Sequence, residues 1–260
     1  GFAGNGQPTK IARMSPIPAE FEDLLTPAGR LVLAGKAPGI SAALADPKRR
    51  FIALEGLVRR SAAEKLRRVL EREMSPLLQT MAVPIPPETI WEMEKNYEEW
   101  LPKAVRVRTA TLDNRRSKAY RRAAEIGIVD LLKSPSFVAF AEAIAGRALN
   151  PKGGQQLLCY GPGDYAGPHN DHHPEEKGYE KGYLDIHLSL SSPAVAHQYL
   201  VYAKGGHFTE MVPVSGPGTI TVYRLPFWHY TTPLMPKPRR EKDARRWVLL
   251  GTFGFKAPIS

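Results

Sequence analysis

The sequence predicts an α+β fold whose second half is a β-sandwich, barrel or jelly roll, and three observations carry that expectation. Before residue 150, apolar residues recur mainly at helical spacing. Beyond Asn150 the chain changes to short β-rich runs separated by Gly/Pro turns, the pattern of antiparallel sandwiches and barrels. All seven histidines lie between His169 and His229. Whatever chemistry they carry is therefore expected on the β-rich half.

Residues 1–47 are Gly- and Pro-rich with weak periodicity; an extended arm is expected, with some order around Glu20 to Leu33. Residues 48–150 read as a mainly helical extension. Phe51 to Met74 is expected to be one helix, because Ile52, Leu54, Leu57, Val58, Leu66, Val69 and Leu70 keep roughly helical spacing. Its other face is basic, with Glu64, Glu71 and Glu73 as partners. Pro84, Pro86 and Pro87 then interrupt the chain, and Glu88 to Leu101 reads as a helix with an acidic start. Val105 to Leu112 alternates like a half-exposed strand. Asp113 to Ala124 is basic and helical in part. Ile128 to Leu149 reads as a helix whose main segment opens at Pro135 and ends near Gly146. Residues 151–260 are expected to form the β core, with strands at Gln155–Tyr160, Tyr183–Leu190, His197–Tyr202, Gly218–Tyr223 and Trp247–Phe255.

Hydrophobic content of 43% and charged content of 24% over 260 residues argue against wholesale disorder and for a chain that buries a core. The longest apolar stretches, such as Phe137 to Ala145, are too short for a bilayer, and no signal-peptide pattern opens the sequence. The single cysteine, Cys159, excludes an internal disulfide and suits a reducing, cytoplasmic location. The net charge is +10, with 24 Lys/Arg against 17 Asp/Glu in residues 1–150 and 12 against 9 afterwards. The basic excess thus lies mostly outside the histidine-rich half. Such a surface can attract nucleic acid, acidic lipid or an anionic small molecule. Here the basic residues alternate with Glu, as on solvated helical faces. Tyr120 is the one aromatic residue near Arg106–Arg122, so nucleic acid and membrane are disfavoured as partners.

His169 and Asp171 are two apart, which on an extended segment puts both side chains on one face. Gly161, Gly163 and Gly167 are expected to permit a tight approach to a metal. His229 follows the Gly218–Tyr223 run, so a partner strand could carry it opposite the pair. Two imidazoles and a carboxylate form the facial triad of non-haem Fe(II) sites, which leaves three coordination positions open. Cys159 alternates away from Tyr160 and reads as a packing residue.

The stretch from Tyr160 through His169 to Asp171, with Gly161, Gly163 and Gly167 before the ligands, resembles the first metal-binding segment of the Fe(II)/2-oxoglutarate-dependent oxygenases, in the manner of the prolyl-hydroxylase-like branch. Gly205-Gly206 resembles that branch's paired glycine turn. The run from Gly218 to Pro233 resembles the second metal segment, and Arg246 to Phe253 the last core strand. The resemblance covers about residues 150–256. It implies a double-stranded β-helix (a distorted jelly roll) with His169, Asp171 and His229 as catalytic iron ligands. It also implies 2-oxoglutarate and O2 as co-substrates, with succinate and CO2 released and ascorbate as a candidate reductant. Arg246 would grip the distal carboxylate of 2-oxoglutarate through a bidentate fork. It stands seventeen residues beyond His229, further than the family's usual spacing. Lys237 to Ala244 therefore reads as an inserted loop and a candidate mobile cover, and Arg239 and Arg240 remain rivals for the clamp; Arg245 faces the other side of the strand.

Tyr160, His187, Ser189 and Leu200 are expected to line the pocket around 2-oxoglutarate. Asp185 shares the face of His187 and Ser189, and Gln198 and Tyr202 are further interior candidates. His172 and His173 read as a polar surface loop, and His197 and His207 as strand or loop caps. The carboxylate of Asp171 favours hydroxylation, desaturation or ring closure over halogenation, in which family members lack it. The substrate is expected to be an amino acid, peptide or small natural product, with an anionic one suited to the basic loop. Two other readings stay open: a cupin-like metal-binding protein without oxidase activity, and a nucleic-acid-modifying oxygenase, which needs an aromatic base pocket.

Overall fold

A computed structural model describes residues 15–46, 48–84, 104–151, 153–171 and 181–256. The expected helix at Glu88 to Leu101 lies outside the described residues. The described chain begins with a 3-10 turn at Phe21–Leu24, then α1 (Pro27–Leu33) and α2 (Pro38–Ala45), β1 (Phe51–Leu54) and α3 (Arg60–Glu73). Next come β2 (Gln79–Pro84), β3 (Ala104–Thr111), α4 (Lys118–Glu125), α5 (Ile128–Leu132), α6 (Pro135–Ala145) and β4 (Leu149–Asn150). Ten strands follow: β5 (Gln155–Tyr160), β6 (Tyr165–His169), β7 (Tyr183–Ser191), β8 (Val195–His197), β9 (Tyr199–Lys204), β10 (His207–Pro213), β11 (Ile220–Leu225), β12 (His229–Thr231), β13 (Met235–Pro236) and β14 (Arg246–Phe255).

The strands form a double-stranded β-helix. Hydrogen-bonded order runs β1-β11-β7-β14-β5-β3-β6-β12-β9-β10, and these pairings are antiparallel. Two four-stranded layers, β11-β7-β14-β5 and β6-β12-β9-β10, carry successive segments of the chain alternately. β3 bridges them, pairing β5 through Arg108–Thr111 and β6 through Val105–Arg106. Gly205 and Gly206, at φ 61° and 82°, make the tight turn between β9 and β10, which non-glycine residues adopt at a cost.

The first layer is buried on both faces, and the strand period of two sorts its residues. Leu184, Ile186, Leu188 and Leu190 of β7 join Trp247, Leu249 and Phe253 of β14 and Ile220 and Val222 of β11 under the helices. The alternate residues, Tyr183, Asp185, His187 and Ser189 on β7 and Arg246 and Val248 on β14, face the barrel interior. The outer face is covered by an amphipathic α3 (Ala63, Leu66, Val69 and Leu70 buried) and by α6. Phe137 and Phe140 of α6 pack tilted against Phe21 with ring centroids 4.8 and 5.1 Å apart; such pairs contribute roughly 0.5–1.5 kcal/mol each beyond area burial. Cys159 lies in this outer core, as its alternation with Tyr160 predicts.

Three expectations require correction. Phe51 to Met74 is not one helix: Phe51–Leu54 pairs with β11 as an edge strand, and the helix starts at Arg60 after Gly56 at φ 73°. The order expected around Glu20 to Leu33 is present, but it extends through Pro38–Ala45, so residues 15–46 are not an extended arm. Thr26 caps α1 by accepting from the Gly29 N–H, Pro27 occupies the first turn, and Ile17, Phe21, Leu24 and Val32 are buried in the main core. The helix expected over Ile128–Leu149 is two helices and a strand. Ser134 caps α6, Gly146 closes it at φ 65°, and Leu149–Asn150 pairs with the end of β14.

Candidate metal centre and its interior pocket

His169 ends β6 and His229 opens β12, and the two are direct cross-strand partners. Their rings lie 4.4 Å apart. Asp171 does not continue the extended strand, contrary to expectation. Its φ of 52° turns the chain into the left-handed region, which Asp tolerates better than most residues. That bend brings the carboxylate beside both imidazoles: Oδ2 is 3.4 Å from His169 Nε2 and 3.5 Å from His229 Nε2. Among the described residues these three form the one group of His, Cys, Asp and Glu ligand atoms close enough to hold a metal, all within 4.8 Å of one another.

Each imidazole is locked in one tautomer. His169 Nδ1 donates to the Gly167 carbonyl at 2.6 Å and His229 Nδ1 to the Phe227 carbonyl at 2.8 Å. A carbonyl only accepts, so the proton sits on Nδ1 and the Nε2 lone pair is left facing Asp171, as a metal ligand requires. Burial, reinforced by the neighbouring His169, pushes His229 down to about 3, so it stays neutral. For His169, burial opposes charge, but the negative charge of the Asp171 carboxylate outweighs it and, with the Gly167 hydrogen bond, raises the pKa. Phe227 stacks on His229 at 4.5 Å. The Tyr183 hydroxyl donates to the Asp171 carbonyl and so holds the bent segment from inside the barrel. Tyr183 and Phe227 are not legible as site residues in the sequence: Tyr183 shows only its alternation on β7, and Phe227 lies in the connection between β11 and β12.

Deeper in the barrel, Arg246 is 2% exposed. Its Nε and Nη2 donate to Ser189 Oγ at 3.1 and 3.0 Å, and its Nη1 donates to Gln198 Oε1 at 2.9 Å. The Tyr160 ring lies 5.3 Å from the guanidinium carbon. Gln198 sits in the break between β8 and β9, where its amide donates to the Asp164 and Thr232 carbonyls. The amide is thereby oriented and its oxygen turned to Arg246. Every identified partner of Arg246 is neutral, and among the described residues no carboxylate pairs with it. Burial lowers its pKa against the pull of Tyr160 and Tyr223. On the side of the triad, the Tyr223 ring lies 5.2 Å from the His229 ring.

The other expected residues fall as follows. Ser189 and Leu200 are fully buried; Leu200 packs with Phe51, Tyr183, Tyr223 and Phe227. His187 faces the interior 4.2 Å from the Tyr223 ring, and its Nε2 is buried with no hydrogen-bond partner. Asp185 accepts from Thr252. Arg239 and Arg240 lie exposed on the turn before β14, and Arg240 pairs with Asp243. Arg245 points outward, opposite Arg246. His197 and His207 are exposed at strand ends, whereas His172 and His173 lie outside the described residues. Gly161 and Gly163 build the β5–β6 turn around Asp164, with Gly163 at φ 75°, rather than approaching the triad.

No sequence-family model matches the chain, and no curated protein matches it in sequence. Its fold is shared with solved Fe(II)/2-oxoglutarate oxygenases. A 2OG-Fe(II) oxygenase family oxidoreductase from Burkholderia pseudomallei is 12% identical over 84% of this chain and 90% of that one, with a TM-score of 0.53. The non-haem α-ketoglutarate-dependent epimerase SnoN of nogalamycin biosynthesis is 16% identical over 86% of this chain and 87% of that one, with a TM-score of 0.50. The resemblance read from the short motifs thus holds for the fold. No helix among the described residues is long and apolar enough to cross a membrane.

Proposed function

We propose that the protein is a non-haem Fe(II)/2-oxoglutarate-dependent oxygenase. It oxidises an unactivated C–H bond of an amino acid, peptide or small natural product, most simply by hydroxylation. The observation that carries this reading is Arg246: a fully buried guanidinium whose identified partners are neutral, in the same interior as a His-Asp-His donor set. A buried cation is costly without an anion, and a metal-binding module without a co-substrate has no use for one. A carboxylate of 2-oxoglutarate supplies the missing charge.

The donor set fits Fe(II). Neighbouring ligands of a six-coordinate ion at about 2.1 Å lie about 3 Å apart, and the two Asp171–imidazole separations of 3.4 and 3.5 Å are close to that edge. His169, Asp171 and His229 would hold the ion on one face, and Arg246 with Ser189 would bind the co-substrate's distal carboxylate. When bound, iron with 2-oxoglutarate and O2 supplies an oxidant able to remove a substrate hydrogen, with succinate and CO2 as co-products. The protein's part is positional. Gly167 and Phe227 fix the imidazole tautomers, Tyr183 fixes the Asp171 backbone, and Gln198 and Ser189 aim the guanidinium. Phe227, Tyr223 and Leu200 exclude water from the interior.

Anaerobic addition of Fe(II) and then 2-oxoglutarate should produce the visible charge-transfer absorption of a metal–2-oxo acid chelate. The absorption should vanish in His169→Ala and His229→Ala. A protein that binds Fe(II) through these residues but develops no absorption with 2-oxoglutarate is a metal-binding module instead.

A further inference from the structure

On the opposite face of the first layer from Arg246, a cavity of about 380 Å3 opens between the end of α3, β3 and the 240–245 turn. Sheet register brings its basic residues together. Arg108 of β3 pairs across to Cys159 of β5, and Cys159 to Trp247 of β14. Arg245 is two residues before Trp247 and so shares that outer face. Arg67 and Arg240 also border the cavity, but both are neutralised, Arg67 by Glu64 and Glu71 and Arg240 by Asp243.

Arg108 and Arg245 are not neutralised. Arg108 donates to Ser75 Oγ at 3.0 Å and Cys159 Sγ at 3.3 Å, and Arg245 to the Ala244 carbonyl at 2.6 Å. These are neutral acceptors, and among the described residues neither arginine has a carboxylate partner. Both are half-buried, so water screens them less than surface cations. Ser75 accepts from Arg108 with its oxygen and retains its own O–H to donate. Among the described residues Pro193 is the one apolar residue lining the cavity, and the carboxylates of Glu71 and Asp243 that also line it are those paired with Arg67 and Arg240. Two guanidinium groups and a hydroxyl donor lining one concave polar space suit a tetrahedral oxyanion. A lipid surface would need a flatter face with an apolar rim.

We propose that this cavity is a binding site for a small, soluble phosphate-class oxyanion held between Arg108 and Arg245. It is separate from the barrel interior, since Arg245 and Arg246 point to opposite faces of β14. The anion would sit against the turn that leads into the strand carrying Arg246.

The test is calorimetric titration of inorganic phosphate into the metal-free full chain at constant ionic strength set with chloride, alongside thermal unfolding. One-to-one saturable binding is expected, with a Tm that climbs with phosphate. Arg108→Gln and Arg245→Gln should each weaken binding by about tenfold or more, the loss of one charge-assisted contact. Ser75→Asp places a carboxylate beside Arg108 and should abolish binding without removing an arginine, which guards against variants that fail to fold. Arg239→Gln, on the same turn but outside the cavity, should bind like the parent. The proposal is overturned by binding no better than that of chloride, by folded cavity variants with parental affinity, or by competition from 2-oxoglutarate, which would put the phosphate in the barrel.

Discussion

Replacing Arg246 with Gln should cripple 2-oxoglutarate binding while leaving the metal site intact. A guanidinium has five N–H groups, and three of Arg246's are committed to Ser189 and Gln198. One N–H on each Nη remains, the pair a carboxylate fork engages. Each charge-assisted hydrogen bond contributes about 1.5–3 kcal/mol. Losing two therefore costs roughly 3–6 kcal/mol, or about 10²- to 10⁴-fold in affinity at 1.4 kcal/mol per decade. Arg246→Lys keeps the charge without the fork and should fall between, at roughly tenfold. The assay is calorimetric titration of 2-oxoglutarate into Mn(II)-loaded protein without oxygen. Arg240→Gln, on an exposed turn, should match the parent. An Arg246→Gln affinity within about threefold of the parent, or a large loss in Arg240→Gln, would refute the assignment of the clamp.

Three further outcomes follow from other parts of the structure. Tyr183→Phe removes the hydroxyl that holds the Asp171 carbonyl and should weaken Fe(II) or Mn(II) binding about 10-fold, as loss of support around a metal ligand does; unchanged metal affinity would remove Tyr183 from the site. Gly251→Ala drives a Cβ to within 2.7 Å of the Phe137 ring and should cost about 1–3 kcal/mol, seen as a lower Tm. A Cβ at Gly154 meets nothing within 4 Å, so Gly154→Ala should stay within about 0.5 kcal/mol. Burial pushes the Cys159 thiol up to about 11 despite the nearby Arg108, leaving about one thiolate in 10³ at pH 8. Iodoacetamide at that pH should leave the native thiol unmodified and alkylate it fully in guanidinium; rapid native alkylation would contradict its burial.

The sequence made the β half legible because its residue types repeat at the strand period. The alternation of Asp185, His187 and Ser189 with Leu184, Ile186 and Leu188 puts the first set on one face, and the family resemblance turns that face into the barrel, where it lies. His229 was expected opposite the His169 segment and is its register partner. The geometry at Asp171 was not readable, because a two-residue spacing says nothing of a left-handed φ. Phe51–Leu54 misled for a physical reason: four apolar residues carry no period, and only pairing with β11 decides that they are a strand. Residues 15–46 looked irregular through their Gly and Pro, yet Pro27 and Pro38 open helices rather than break them. The choice between Arg246 and its rivals rests on burial and partners, which spacing alone could not supply.

The central claim is that the His-Asp-His centre and Arg246 together consume 2-oxoglutarate. The most direct measurement is succinate formed on admitting oxygen to protein loaded with Fe(II) and 2-oxoglutarate, with His229→Ala and an enzyme-free control in parallel. Succinate that requires both oxygen and His229 is the predicted result. Equal succinate from the parent, His229→Ala and the enzyme-free control, with Fe(II) and 2-oxoglutarate both verified as bound to the parent, would contradict it.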